Sequence, residues 1–161
     1  MAGSKDPELT HLDSSGQARM VDVLGKDVTR RRAVSKCRIE MAAATASIIA
    51  KGDATKGDVL AVARVAGIQA GKRTSELIPL CHPLMIGSIS IEFEIEESYV
   101  SITAEAETLD RTGVEMEALT AVCITALTIY DMCKVVDKSM HINNIRLTHK
   151  AGGNSGVFKA E

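Results

Sequence analysis

Ile89-Ser90-Ile91-Glu92-Phe93-Glu94-Ile95-Glu96 alternates apolar and polar side chains without a break. In an extended chain successive side chains point to opposite faces, so the three isoleucines and Phe93 line one face of a strand while Ser90 and the glutamates line the other. A strand covered on both faces would be apolar throughout. This one has a wet face, as expected of an antiparallel sheet packed on one side only. Val100, Ile102, Ala104 and Ala106 repeat the pattern after a turn near Glu97-Ser98, so the two runs are predicted to form a hairpin.

Working outward, residues 113–136 carry the strongest helical signal, and the middle of that helix is apolar on almost every side (Leu119, Val122, Cys123, Ile124, Ala126, Leu127, Ile129, Met132). One sheet cannot cover all of it, so a partner subunit is expected on the second face. Its longest uncharged stretch, between Glu117 and Asp131, falls short of the ~20 residues of a membrane span. A strand is expected over Met140–His149, with a bulge at Asn143-Asn144. Upstream, Met20–Leu24 reads as a short strand, and Arg30–Met41 as another with Arg31, Ala33, Ser35 and Cys37 on one side. The Ala-rich run 42–50 favours a helix that ends at Lys51-Gly52-Asp53. Thr55-Lys56-Gly57-Asp58 has the spacing of a capping box opening a second helix, with Val59, Val62, Ala63, Ala66 and Ala70 at helical intervals, as far as Gly71. Pro79 and Pro83 forbid regular helix and hold Cys81-His82 in a stiff extended loop. This order of elements predicts an α+β sandwich, a mainly antiparallel sheet with helices packed on one face.

Composition sets the class. The 161 residues fit one domain able to bury a core without staples. A formal charge of −2 gives no bulk reason to bind nucleic acid or an anionic membrane, and 2% aromatic content with no Trp leaves no stacking platform for single strands. Cys37, Cys81, Cys123 and Cys133 form no C-x-x-C pair and no zinc-finger spacing, so they read as buried reduced thiols of a reducing, cytoplasmic compartment. Residues 1–8 have no apolar signal-peptide core and are expected to be a disordered lead before a single domain over 9–161. The glycine-rich stretch from Ala151 is expected to be a mobile tail.

Three groups of residues could carry chemistry. Glu115-Met116-Glu117 opens the long helix and Asp131-Met132-Cys133-Lys134 closes it. One reading is helix electrostatics, acids at the positive end and a lysine at the negative end. The other is functional: Asp131 and Lys134 are neighbours at i, i+3, and Glu117 lies within about 40° of the same face as Asp131, but about 21 Å along the axis. Those two ends cannot share a pocket within one subunit, so a site built from both requires an antiparallel helix from a partner. The second candidate is His82, either a solvated bystander or an imidazole held rigidly for acid–base work. The third is basic: Arg31, Lys56, Lys72, Arg73, Lys134 and Lys150, which read as scattered surface charge unless folding gathers them around a polyphosphate. Gly152-Gly153-Asn154-Ser155-Gly156 follows a strand but lacks Walker spacing; a lid that orders on substrate is its functional alternative.

Several longer stretches carry a resemblance. Met20-Val-Asp-Val23, Lys56-Gly-Asp58, Ala66-Gly-Ile-Gln-Ala70, Leu77-Ile-Pro-Leu-Cys-His-Pro-Leu84, Thr112-Gly-Val-Glu-Met-Glu-Ala-Leu-Thr120 and Ala126-Leu-Thr-Ile-Tyr-Asp-Met-Cys-Lys134 resemble the molybdenum cofactor biosynthesis protein C family, the cyclic pyranopterin monophosphate synthases. The resemblance spans nearly the whole chain from Leu9. It implies a ferredoxin-like subunit in a homo-hexamer, a trimer of dimers, with active sites between subunits. It implies a small-molecule substrate, 3′,8-cyclo-7,8-dihydroguanosine 5′-triphosphate, converted to cyclic pyranopterin monophosphate with release of pyrophosphate. No intrinsic cofactor or metal site is implied, and Mg²⁺ enters only as a companion of the substrate triphosphate. Asp131 is implied as the catalytic acid/base with Lys134 as its partner, and His82 and Lys56 as further catalytic groups. Leu80, Cys81, His82, Glu115, Met116, Glu117 and Lys150 are implied to contact substrate, and Arg31, Lys72 and Arg73 to bind it as cations. Asn154 departs from the family's usual Gly-Gly-Lys-Ser-Gly tail, which removes the basis for a phosphate contact at that position and leaves Lys150.

The expected chemistry is binding of the triphosphate by the Lys/Arg group, proton movement by Asp131, Lys134 and His82, and attack of a sugar hydroxyl on the α-phosphate. Two other classes compete: a metal-dependent nucleotide hydrolase, and a non-catalytic oligomeric nucleotide-binding module whose charges serve only helix ends and interfaces.

Overall fold

The computed structural model describes residues 12–160; the expected lead over residues 1–8 and the start of the domain at residue 9 lie outside the described residues. The elements run β1 (Thr29–Glu40), α1 (Ala43–Lys51), α2 (Val59–Gly71), α3 (Thr74–Leu77), β2 (Ile86–Ile95), β3 (Tyr99–Asp110), α4 (Glu115–Cys133), β4 (His141–Ala151) and β5 (Phe158–Lys159). They form one sheet of order β2-β3-β1-β4-β5, antiparallel at every pairing. The β-α-β-β-α-β core of that arrangement is the ferredoxin-like one, with α1 to α3 together filling the first crossover.

The hairpin forms as its alternation requires, with Ile95 opposite Val100 and the turn closed by the Glu96 N–H donating to the Tyr99 carbonyl at 2.9 Å. On β3, Val100, Ile102, Ala104 and Ala106 are fully buried; on the edge strand β2 only Ile91 is. β1 buries every second residue from Arg31 to Ile39. α4 lies across these strands, burying Ala118, Ala121, Val122, Ala126 and Ile129 against the sheet and α2. By length and composition α4 could cross a membrane, but half of its apolar window is packed inside the molecule, as in a core helix. Opposite Cys37, β4 bulges at Asn144, whose φ of 53° is left-handed, an extra-residue geometry that asparagine tolerates.

Several boundaries differ from expectation. Met20–Leu24 is not a strand. Its alternation is real, with Val21 and Val23 half-buried between exposed neighbours, but the segment has no ladder partner among the described residues and lies over a cavity at the start of α4. The cap of α2 is Asp58 rather than Thr55: its carboxylate accepts from the Ala61 N–H at 2.9 Å, and the chain through 55–57 is a turn. The short α3 was not foreseen, and α4 is trimmed to 115–133. The expected mobile tail makes a turn, Gly156 N–H to the Gly153 carbonyl, and returns as β5 beside β4.

The N-cap of α1 is Ala42, which has no polar side chain to cap it. Asp137, at the turn after α4, supplies the missing acceptor: Oδ2 takes the Ala42 N–H at 2.8 Å and the Thr45 hydroxyl at 3.1 Å, and Oδ1 takes the Ser139 hydroxyl at 2.7 Å. The Ala42 N–H bond foremost, with the Ser139 hydroxyl, lowers its pKa to about 2. One buried carboxylate thus ties the end of α4 to the start of α1.

α2 meets α4 at Gly67. A Cβ there would run into the Thr125 hydroxyl and the Ile91 side chain and lie 3.0 Å from the Ala121 carbonyl. The crossing leaves no room for a methyl group, so Gly67→Ala is expected to cost about 2 kcal/mol in urea unfolding despite its gain in helix propensity. Unchanged stability would mean that α2 can move away from α4 freely.

Candidate active site

The two ends of α4 carry separate clusters. At its C-terminal end, Lys134 Nζ donates to Asp131 Oδ1 at 2.6 Å, one helical step away. Lys56, in the turn before α2, reaches the same carboxylate: its Nζ is 3.2 Å from Oδ2 and 2.9 Å from the Asp131 carbonyl. The Lys134 hydrogen bond first, then that of Lys56, holds the Asp131 carboxyl below the usual range, and Asp131 in turn raises the Lys134 ammonium. The side chain of Asp131 is 59% exposed, so the triad lies open to solvent. A carboxylate gripped by two ammoniums on a surface is a poor stabiliser of a fold, but it is a proton acceptor with two donors beside it.

At the N-terminal end, the loop stiffened by Pro79 and Pro83 lays Leu80, Cys81 and His82 along a cavity of about 370 Å³, facing Glu115, Met116 and Glu117. Glu117 is 4% exposed. Burial, and then the neighbouring Glu115 charge, push its carboxyl up to about 7. That degree of burial argues against helix electrostatics alone, since a carboxylate placed only to meet the dipole would stay in water. Cys81 is raised above the usual thiol range by burial and then by Glu117, so it stands as a thiol and not as a thiolate nucleophile. Burial likewise raises Cys123 and Cys133, and pushes Cys37 up to about 12; all four cysteines are free.

A second cavity of about 420 Å³ opens beside the first, lined by Lys26, Arg31, Arg111, Glu115, Lys150 and the tail residues Gly153 to Ser155. Lys150 Nζ lies 3.2 Å from Glu115 and 2.6 Å from the Ser155 hydroxyl. Lys26 borders both cavities, yet nothing in its sequence context set it apart from other lysines. Val21 and Val23, which the alternation assigns to a strand, line the first cavity. Asn154 lies on the wall of this second cavity.

Of the expected site residues, Lys56, Asp131 and Lys134 are therefore gathered at one end of α4, and Arg31, Leu80, Cys81, His82, Glu115, Met116, Glu117 and Lys150 at the other. Fourteen residues of helix separate Glu117 from Asp131, a rise of about 21 Å. Lys72 and Arg73 join neither group; both are exposed at the end of α2, Lys72 beside a shallow hollow under β2. Among the described residues no three His, Cys, Asp or Glu side chains are grouped to hold a metal ion.

Between the clusters, α4 exposes Met116 and Leu127, and Cys123, Ile124 and Thr128 are half-covered along the same side. The stripe runs from one cluster to the other.

The chain is similar over nearly its whole length to proteins named cyclic pyranopterin monophosphate synthase. That of Pelotomaculum thermopropionicum is 57% identical over 153 residues, covering 94% of this chain and 90% of the relative. Those of Peptoclostridium acidaminophilum and Thermomicrobium roseum are 54% and 55% identical, covering 96% of this chain and 98% and 94% of their own lengths. Residues 20–153, from the segment over the cavity to the glycine turn, match the model of one family, and the chain belongs to it: the MoaC family.

Proposed function

We propose that this protein converts 3′,8-cyclo-7,8-dihydroguanosine 5′-triphosphate to cyclic pyranopterin monophosphate and pyrophosphate, a step of molybdenum cofactor biosynthesis. The name its relatives share supports the reaction. One observation supports how the site is built: a proton-transfer triad and an acid-lined cavity lie at opposite ends of one helix, joined by a stripe that the described residues leave exposed or half-covered. A partner's α4 laid antiparallel along that stripe sets its triad against this subunit's cavity, giving two complete sites per pair. We place such pairs in a hexamer, a trimer of dimers, in the cytoplasm.

In this arrangement the cations of the second cavity, Lys150, Arg31 and Lys26, hold the triphosphate and offset charge on the leaving pyrophosphate. Burial against the partner dehydrates the Lys56–Asp131–Lys134 triad and strengthens each of its interactions. Asp131 accepts a proton, Lys134 supplies one, and His82 serves as a further proton carrier while the guanosine skeleton rearranges. The sugar hydroxyl then attacks the α-phosphorus; its O–P bond forms as the bond to pyrophosphate breaks, and the hydroxyl proton passes to the base. Positioning does most of that work. Mg²⁺ belongs with the substrate phosphates in this scheme.

Incubation with the cyclised triphosphate, assayed for pyrophosphate and for mass by sedimentation, tests the proposal. The expected result is stoichiometric release by a hexamer, persisting after exhaustive chelation of the protein. Substrate binding without release would instead mark a binding module, and release of inorganic phosphate that stops on chelation would mark a metal-dependent hydrolase.

A further inference from the structure

Arg31 is the buried cation of the second cavity. It is 8% exposed, and its Nε and Nη2 donate to the carbonyls of Asp110 (3.3 Å) and Arg111 (3.1 Å) where β3 turns toward α4. Both bonds go to backbone, so this edge of the guanidinium serves chain geometry. Its Nη1 lies against the tail: a Cβ at Gly153 would collide with it, and a Cβ at Gly152 would strike the Arg30 carbonyl and come within 3.1 Å of Arg31 Cδ. Both glycines have left-handed φ, 102° at Gly152 and 73° at Gly153, so backbone conformation demands glycine at both, and at Gly152 the Arg30 carbonyl leaves no room besides. Just beyond this contact stands Ser155, which anchors Lys150, itself paired with Glu115 at the start of α4.

We propose that Arg31 acts as a positioning residue that clamps the Gly152-Gly153 turn to the Asp110-Arg111 corner and thereby sets Lys150 and Ser155 at the mouth of the cavity. A rigid planar fork can hold two carbonyls and pack flat against a glycine turn at once; a lysine ammonium is a point charge on a flexible stem and cannot. Charge alone is therefore not what position 31 supplies. The consequence for substrate rests on the function proposed above; the clamp itself does not.

Two variants and two readouts test it. Arg31→Lys keeps the charge and loses the fork, while Gly153→Ala keeps Arg31 and dislodges the turn from it. Each is expected to raise KM about tenfold with kcat changed less than about threefold, as misplaced binding groups do. The double variant is expected to be no more than about twofold worse than either single, because both break one contact. Parental KM in Arg31→Lys, or a double variant about a hundredfold down, would overturn the proposal in favour of a charge acting alone. Independently of turnover, hydrogen exchange of the Gly156 and Ala160 amides, which close the tail turn and bond Thr148, is expected to speed up at least about tenfold in Arg31→Lys, with α4 unaffected. Unchanged exchange at both amides overturns the clamp whatever the kinetics. Absence of pyrophosphate release by the parent protein, with exchange still accelerated in the variant, would sink the proposed function and leave the clamp standing.

Discussion

Asp131→Asn protein is expected to fold and assemble like the parent and to release pyrophosphate at least about 10³-fold more slowly, near the upper part of the range for a positioned acid–base group. Folding survives because the carboxylate packs against nothing: it faces solvent and touches only two lysine ammoniums, themselves exposed. Catalysis does not, because the amide is isosteric but cannot accept a proton. The loss extends to Lys134, whose ammonium is held above its usual range by the negative charge beside it. A complementary experiment locates the two halves of the site. Chains carrying Asp131→Asn, refolded together with chains carrying Glu117→Ala, should recover activity in mixed assemblies, since some interfaces then pair an intact triad with an intact cavity. Recovery close to a quarter of the parental rate fits one site drawn from two protomers with random mixing. No recovery, with mixed assembly verified, would place both halves of each site in the same subunit.

How much of this was legible beforehand follows from the range of the interactions. The β2–β3 hairpin and the buried side of β1 could be read because each is set by a two-residue period, and the helix α1 because its propensity and its closing glycine are local. The same logic misread Met20–Leu24: alternate burial also arises where an extended segment covers a cavity, and only hydrogen-bond partners separate the cases. Thr55 and Asp58 both carry capping oxygens, and the choice between them depended on where the turn at Gly57 (φ 94°) directs the chain. The separation of Glu117 from Asp131 was available from helix geometry alone. That Lys56 completes the triad, that Asp137 caps α1, and that Lys26 borders both cavities are contacts across 75, 95 and several tens of residues, which no local pattern records. Arg31 shows the sharpest difference between residue type and use: an arginine among basic residues suggests anion binding alone, whereas its Nε and Nη2 donate to backbone carbonyls.

Glu117 supplies the other large expected effect, this time on stability. Its ordinary value is 4.5, and in the folded chain burial beside Glu115 raises it to about 7. A carboxyl whose folded pKa exceeds its unfolded one favours the fold when protonated. Its contribution is therefore complete below about pH 4.5 and is lost as pH rises through 7, at up to about 1.4 kcal/mol per pH unit between the two values. Glu117→Gln removes the titration while preserving size and a neutral hydrogen-bonding head. Compared by urea unfolding at pH 5 and pH 8, the variant should gain about 2 to 3 kcal/mol on the parent across that interval. Parallel pH profiles would show that the carboxylate is solvated after all. The same proton bears on the reaction, because near neutrality Glu117 can offer a donor to substrate in the cavity it shares with His82. If that donor is used, kcat/KM of the parent falls above pH 7 and the glutamine variant loses that alkaline limb. If Glu117 instead works as a base, the variant is inactive at every pH while still showing the flattened stability profile, so the burial argument and the choice of proton role are decided by separate measurements.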